Sequence, residues 1–207
     1  MNTSDAMVFV VDDDAEVRTS LSRLLRSVSW AVTACASAQD FLDQLPTPTI
    51  GCVLLDIDMP GMSGPELHEL LAARGIDLPV LYLTGLGSVS TAVKAMKLGA
   101  LEYFEKPVNG AVLLDAVARA VDDHRQRRAA QTRRADLQAR LGALSVRERE
   151  VMQHVIAGRM NKQIAGDLGI AEKTVKAHRG RVMRKVGVRS VAQLVHICEQ
   201  LGLSRDA

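Results

Sequence analysis

Up to Val121 the apolar residues fall into short runs, and each strong run closes on a polar side chain. Val8–Val11 runs into Asp12, Asp13 and Asp14. Gly51–Leu55 runs into Asp56, Leu78–Leu83 into Thr84 and Gly85, and Leu101–Phe104 into Glu105, Lys106 and Pro107. The first three of these read as continuous apolar runs, which predict strands buried on both faces; the fourth is interrupted by Glu102. A weaker strand is predicted over Ala31–Ala34. Between the runs the spacing changes to three and four, as at Val17, Leu21, Leu24, Leu25 and Val28. Further helices are predicted over Ala38–Leu45, Pro65–Ala73, Val89–Leu98 and Ala111–Val121. Strands alternating with helices predict an α/β fold, a doubly wound five-stranded parallel sheet.

The carboxyl ends of parallel strands share one edge, and ligands bind there. Asp12, Asp13, Asp56, Thr84 and Lys106 are therefore expected in one crevice.

After Val121 the texture changes. Residues 122–141 carry six arginines with no glycine or proline, and they continue the preceding helix without a stop signal. A helical linker is expected over 122–143. Leu137, Leu141 and Leu144, spaced by four and three, form a short candidate seam at its end. Four short helices, an all-α four-helix domain, are expected over 144–207. Ser145 and Glu148 match a capping box, Gly158 and Gly169 stop the first two helices, Asn161 is placed to cap the second, and Ser190 caps the last. The third, Glu172 to Val186, is rich in Lys and Arg and follows a tight Gly-containing turn, the pattern of a helix-turn-helix.

Charge sharpens the division. The whole chain carries a formal net charge of +2, but residues 1–123 hold 8 basic and 17 acidic side chains and residues 124–207 hold 18 and 7. An acidic front at −9 and a basic back at +11 predict modules with different partners, the basic one suited to a polyanion. Aromatic content of 3% argues against base-stacking RNA recognition. No apolar run approaches the roughly 18 residues of a membrane span. Residues 1–7 lack the features of a signal peptide, so a cytoplasmic location and no membrane partner are expected. Cys35, Cys52 and Cys198 sit in apolar company and read as buried thiols.

Asp12, Asp13 and Asp56 cannot all ionise in proximity without a cation, and hard oxygen ligands of this kind suit Mg²⁺. Asp56, followed by Met59, Pro60 and Gly61, would be displayed on a turn as a nucleophile toward phosphorus. Lys106 would pair with the new phosphoryl oxygens and the Thr84 hydroxyl would hydrogen-bond to one. An acidic residue after a strand is more often a helix cap than a ligand. The inference rests on all four strand ends being polar in a compatible way.

In the basic half, Val175, Val182 and Val186 form the inward stripe of the helix from Glu172. Thr174, Lys176, Ala177 and Gly180 are expected to face base edges, and Arg179, Arg181 and Arg184 to face phosphates. Gly180 costs its helix roughly 1 kcal/mol relative to alanine, and close approach to DNA would be a reason for it. His178 reads equally as a core-facing polar group or a phosphate donor. Arg147 and Glu148 read as structural. The linker arginines either touch phosphates or keep a long helix soluble.

Residues 7–121 resemble the receiver domain of bacterial two-component response regulators, through VVDDD (10–14), LLDIDMPGMSG (54–64), LTG (83–85) and EYFEKP (102–107). Residues 144–201 resemble the LuxR-type helix-turn-helix, through LSVREREV (144–151), NKQIAGDLGIAEKTVKAHR (161–179) and VRS (188–190). The combination resembles the FixJ-type transcriptional regulators. The resemblance implies a flavodoxin-like receiver over 1–121, with Asp56 as phosphoacceptor for a sensor histidine kinase. It implies Mg²⁺ on Asp12, Asp13, Asp56 and the Asp58 carbonyl, with Thr84 and Lys106 on the phosphoryl group. Tyr103 would be the aromatic switch, and Lys106–Pro107 a cis bond. The output would be promoter DNA binding by 144–207, with a homodimer formed on phosphorylation or on DNA. A phosphohydrolase of the haloacid-dehalogenase type would share the Asp56-Ile57-Asp58 pattern, but Pro60 and the third-strand position depart from it. The chain is therefore expected not to be an enzyme. A DNA-binding protein with an inert receiver is opposed by the intact set of five site residues.

Overall fold

The structure is a computed structural model, described for residues 6–46, 49–85 and 98–203. Two compact units divide between Arg128 and Ala129. The first contains β1 (Met7–Val11), α1 (Ala15–Ser27), β2 (Ala31–Cys35), α2 (Ala38–Gln44), β3 (Gly51–Asp56), α3 (Gly64–Ala73), β4 (Val80–Thr84), β5 (Glu102–Glu105) and the start of α4 (Gly110–Gly142). The helix predicted over 89–98 lies, apart from Leu98, outside the described residues.

All five strands are parallel, in the order β2-β1-β3-β4-β5. β3 and β4 are buried at every position and β1 at all but its first, whereas the edge strands β2 and β5 are mostly half-exposed. That is why the three central strands read as unbroken apolar runs and β2 did not. Side-chain alternation splits the core into two layers. Phe9, Val11, Val53, Leu55, Val80 and Tyr82 pack with Phe41, Leu67 and Leu71 from α2 and α3 on one face. Val8, Val10, Cys52, Leu54, Leu81 and Leu83 pack with Leu21 and Leu25 of α1 and with Leu113, Val117 and Val121 of α4 on the other. Phe9 and Phe41 meet edge to face with ring centroids 5.1 Å apart.

The order reverses between β1 and β3, and the ends of these neighbouring strands carry Asp12 and Asp56. Ligands of open α/β sheets bind at this switch point. Two details shape it. The Asp14 carboxylate caps α1 by accepting from the amides of Glu16 and Val17, which fixes where the β1–α1 loop turns. Gly64 opens α3 so close to β3 that a Cβ there would lie 2.3 Å from the Asp56 carbonyl oxygen.

The helix α4 is continuous through the expected linker. Its residues His124 and Arg127 reach back to the sheet unit, where the His124 ring meets Gly51 and Arg127 pairs with Asp77 at 3.2 Å.

The second unit holds the end of α4 with α5 (Val146–Ile156), α6 (Asn161–Leu168), α7 (Glu172–Val186) and α8 (Val191–Gln200) around one core. Leu141 and Leu144 are buried in that core, so the candidate leucine seam is used within the unit. Ser145 and Glu148 form the expected capping box and Ser190 caps α8. Gly169 ends α6 in the left-handed region at φ 65°, which makes the tight turn before α7. Asn161 does not cap α6. Met160 occupies that position and its amide donates to Gln163 Oε1 at 2.9 Å, leaving the Asn161 side chain for another partner.

Candidate functional site

The acidic crevice is organised by one lysine. Lys106 Nζ donates to Asp12 Oδ2 and to Asp56 Oδ1, both at 2.6 Å. Asp12 and Asp56 are buried and Lys106 half-buried. Burial raises the Asp56 pKa above its ordinary value, an effect that its contacts with Lys106 oppose. Burial works against the Lys106 charge as well, but the hydrogen bonds and attraction to Asp12 and Asp56 outweigh it and its pKa is raised. The second Asp56 oxygen, Oδ2, accepts from the Asp58 amide at 3.0 Å, and Asp12 Oδ1 accepts from the Asp14 amide at 2.9 Å. Arg18 Nη1 donates to the Asp12 carbonyl at 2.7 Å. Asp13 and Asp58 are exposed at the mouth.

Thr84 follows Leu83, the β4 residue paired in register with Asp56. It is 1% exposed, and its hydroxyl has no hydrogen-bond partner among the described residues. The Lys106 amide donates to the Thr84 carbonyl at 2.7 Å, tying the ends of β4 and β5 together. The Tyr103 hydroxyl on β5 is likewise buried without a partner among the described residues. The Lys106–Pro107 bond is cis. The four strand ends singled out in the sequence thus bring Asp12, Asp56, Thr84 and Lys106 to one sheet edge, with Asp13 and Asp58 beside them. Sequence reading missed Arg18, which holds the loop carrying Asp12. It also missed a cleft of about 500 Å³ beside Lys106, lined by Val17, Leu21, Leu24, Leu83 and Pro107 among others.

No described group of three or more His, Cys, Asp or Glu side chains stands in metal-ligating array. Magnesium does not need one, since it is commonly held by one or two carboxylates plus water and a phosphate. The two buried carboxylates already share a cation, so the donor set fits a hard divalent ion.

In the second unit α7 presents a basic surface. Val175, Val182 and Val186 are buried, while Thr174, Lys176, Ala177, Gly180, Arg181 and Arg184 are exposed. A Cβ built on Gly180 would meet nothing within 4 Å, so nothing in the fold calls for a glycine there. Arg179 is half-buried and donates to Asn161 Oδ1 at 2.9 Å. His178 is half-buried, with its Nδ1 buried and unpartnered among the described residues. Lys185 leaves the basic surface to pair with Glu148 at 2.6 Å, and this contact, with the Ser145 amide, holds the Glu148 carboxyl down at about 2. Arg147 donates to Glu150 and to the Leu168 carbonyl. Both Arg147 and Glu148 therefore serve the bundle.

Comparison with known proteins joins the two units. Residues 8–118 match the response regulator receiver domain, and residues 142–198 match the bacterial regulatory proteins of the luxR family. The chain is 43% identical over 204 residues to nodulation protein W of Bradyrhizobium diazoefficiens, covering 99% of this chain and 90% of that one. It is 39% identical over 204 residues to the transcriptional regulatory protein FixJ of the same organism, covering 99% and 100%. The chain belongs to the FixJ-like response regulators. The solved structure of the response regulator StyR is similar at a TM-score of 0.90 and 44% identity, over 95% of this chain and 100% of that one. This chain is thus a transcriptional response regulator with a receiver domain and a LuxR-type DNA-binding domain. No described helix is long and apolar enough to cross a membrane. Cys35, Cys52 and Cys198 are free and buried, and burial pushes the Cys35 and Cys52 thiols up to about 12.

Proposed function

We propose that Asp56 is the phosphoacceptor for a sensor histidine kinase and that its phosphorylation controls promoter DNA binding. The observation that carries this reading is Lys106, shared at 2.6 Å between Asp12 and Asp56 at the sheet edge where Thr84 keeps a buried, unpartnered hydroxyl. A carboxylate oxygen of Asp56 attacks phosphorus, an acyl phosphate forms, and the donor's leaving group departs. Lys106 then faces the phosphoryl oxygens, and the Thr84 hydroxyl donates to one of them. Asp12, Asp13, Asp56 and the Asp58 carbonyl would hold Mg²⁺, which when bound neutralises charge between carboxylate and incoming phosphate.

The added charge, about −1.5 to −2, draws Thr84 toward it and frees space for Tyr103 to follow, remodelling the surface of β4 and β5. The cleft beside Lys106, with Val17, Leu21 and Leu24 in its lining, offers a surface on which the kinase can dock. In this reading 1–121 is the receiver, 122–143 the linker and 144–207 the output module. The chain is a regulator rather than an enzyme, it works in the cytoplasm, and it pairs as a homodimer on a two-fold DNA site. Thr174, Lys176, Ala177 and Gly180 face base edges, and Arg179, Arg181 and Arg184 face phosphates. Labelling with acetyl phosphate in Mg²⁺ tests the acceptor. The wild-type chain takes up one phosphoryl group and Asp56→Asn takes up none, whereas equal labelling of both removes Asp56 from the role.

A further inference from the structure

The basic side chains of α7 are not equally free. Lys185 is neutralised by Glu148 at 2.6 Å, and Arg184 Nε folds onto its own helix at the Gly180 carbonyl. Arg179 is fastened too, but differently. Its Nη1 donates to Asn161 Oδ1 at 2.9 Å, across 18 residues and between α6 and α7. Asn161 is at liberty to do this because Met160, not Asn161, caps α6. The guanidinium has five N–H donors, and it has no further partner among the described residues. The acceptor is an uncharged amide, so the tether immobilises Arg179 without cancelling its charge. An aspartate at the same place would make an equivalent or stronger bond and spend that charge.

We infer that Asn161 is a positioning residue for DNA binding: it holds the Arg179 guanidinium in place with a neutral acceptor, leaving its full charge for a phosphate. The inference rests on the reading of α7 as the DNA-facing helix. Pre-ordering a long side chain removes an entropic cost from association, and keeping its charge preserves the counterions released on binding.

Fluorescence anisotropy of the full chain on a labelled duplex of mixed sequence, repeated over a range of salt concentrations, separates the two contributions. Circular dichroism melts run alongside. Arg179→Ala is expected to weaken binding and to reduce the slope of log affinity against log salt by about one. Asn161→Ala is expected to weaken binding about 3- to 10-fold with the slope kept, and to have no further effect in the Arg179→Ala background. Asn161→Asp is expected to reduce the slope by about one while melting no lower than wild type. A plain brace between α6 and α7 predicts that whatever Asn161→Asp costs in affinity and slope, through the negative charge it adds, is the same in the Arg179→Ala background as in the wild-type chain, and that result overturns the inference. So does a loss from Asn161→Ala that persists undiminished without Arg179. If Arg179→Ala itself leaves affinity and slope intact, the DNA-facing role of Arg179 fails and the inference goes with it. If Arg179→Ala weakens binding but neither Asn161 variant does, only the inference falls.

Discussion

Lys106 Nζ lies 2.6 Å from Asp12 and 2.6 Å from Asp56, making one ammonium the common partner of two buried carboxylates that come from different strands. Without it the two negative charges would face each other in a site that burial already makes unfavourable for ionised Asp56. A phosphoryl group on Asp56 offers that ammonium a stronger acceptor. Lys106→Ala is therefore expected to slow acetyl phosphate labelling about 10- to 100-fold, the equivalent of one charge-assisted hydrogen bond. An unchanged labelling rate would place Lys106 outside the reaction.

The close approach at Gly64 makes a second prediction about the same crevice. A methyl group there would lie 2.3 Å from the Asp56 carbonyl oxygen, a backbone atom that can yield only by moving β3 or the start of α3. Gly64→Ala is expected to cut labelling of Asp56 and to lower the melting temperature. At Gly166 a Cβ meets nothing within 4 Å, so Gly166→Ala should leave labelling unchanged.

On α7 stability and binding are expected to part company. Gly180 lies in open space inside a helix, so Gly180→Ala should stabilise the output module by about 1 kcal/mol. If the DNA backbone approaches Gly180, the same substitution weakens binding. Anisotropy and thermal melts on one variant therefore read opposite signs. Tighter binding with the higher stability would remove Gly180 from the interface. Lys176→Ala, by contrast, should leave the melt alone and relax base preference.

Acid should loosen the receiver module through its buried histidines. His124 and His68 both have pKa values lowered by burial, from an ordinary 6.5. His124 faces the Gly51 backbone, with Asp77, Arg127 and Arg128 around it, and His68 meets the Tyr82 hydroxyl at 3.1 Å. The folded chain then binds fewer protons than the unfolded chain in mild acid. The stability that these residues contribute is complete above about pH 6.5 and is lost as the pH falls through their folded values. Trp30 is the chain's one tryptophan and packs in the receiver core, so its fluorescence follows this unit. Melts read by Trp30 should fall with acidity, and His124→Gln should flatten that fall. A pH profile unaltered by His124→Gln would contradict the assignment.

Much of this was legible along the chain because burial leaves a linear trace. A strand covered on both faces must be apolar at every position, which is why β1, β3 and β4 and the polar residues ending them stood out. The edge strand β2 gave only a weak signal, since it is half-exposed. Capping at Ser145 and Ser190 was readable because it is local in sequence. Contacts set by how elements cross left no such trace. Nothing in the spacing pairs Arg179 with Asn161, His124 with Gly51 or Lys185 with Glu148, separated by 18, 73 and 37 residues. Asn161 was misplaced for the same reason. Its side chain suits a cap, but α6 begins one residue earlier than the composition implied, with Met160 at the cap. The leucines at 141 and 144 had the spacing of a seam, yet they are consumed by the core of the output module.

Phosphorylation at Asp56 is proposed to set DNA affinity. Mobility shifts of the full chain on genomic fragments, with and without acetyl phosphate in Mg²⁺, test it most directly. Tighter, sequence-selective binding is expected of the phosphorylated wild type, with no such change for Asp56→Asn. Equal affinity of the wild type in both states, with phosphorylation of Asp56 verified, would contradict it.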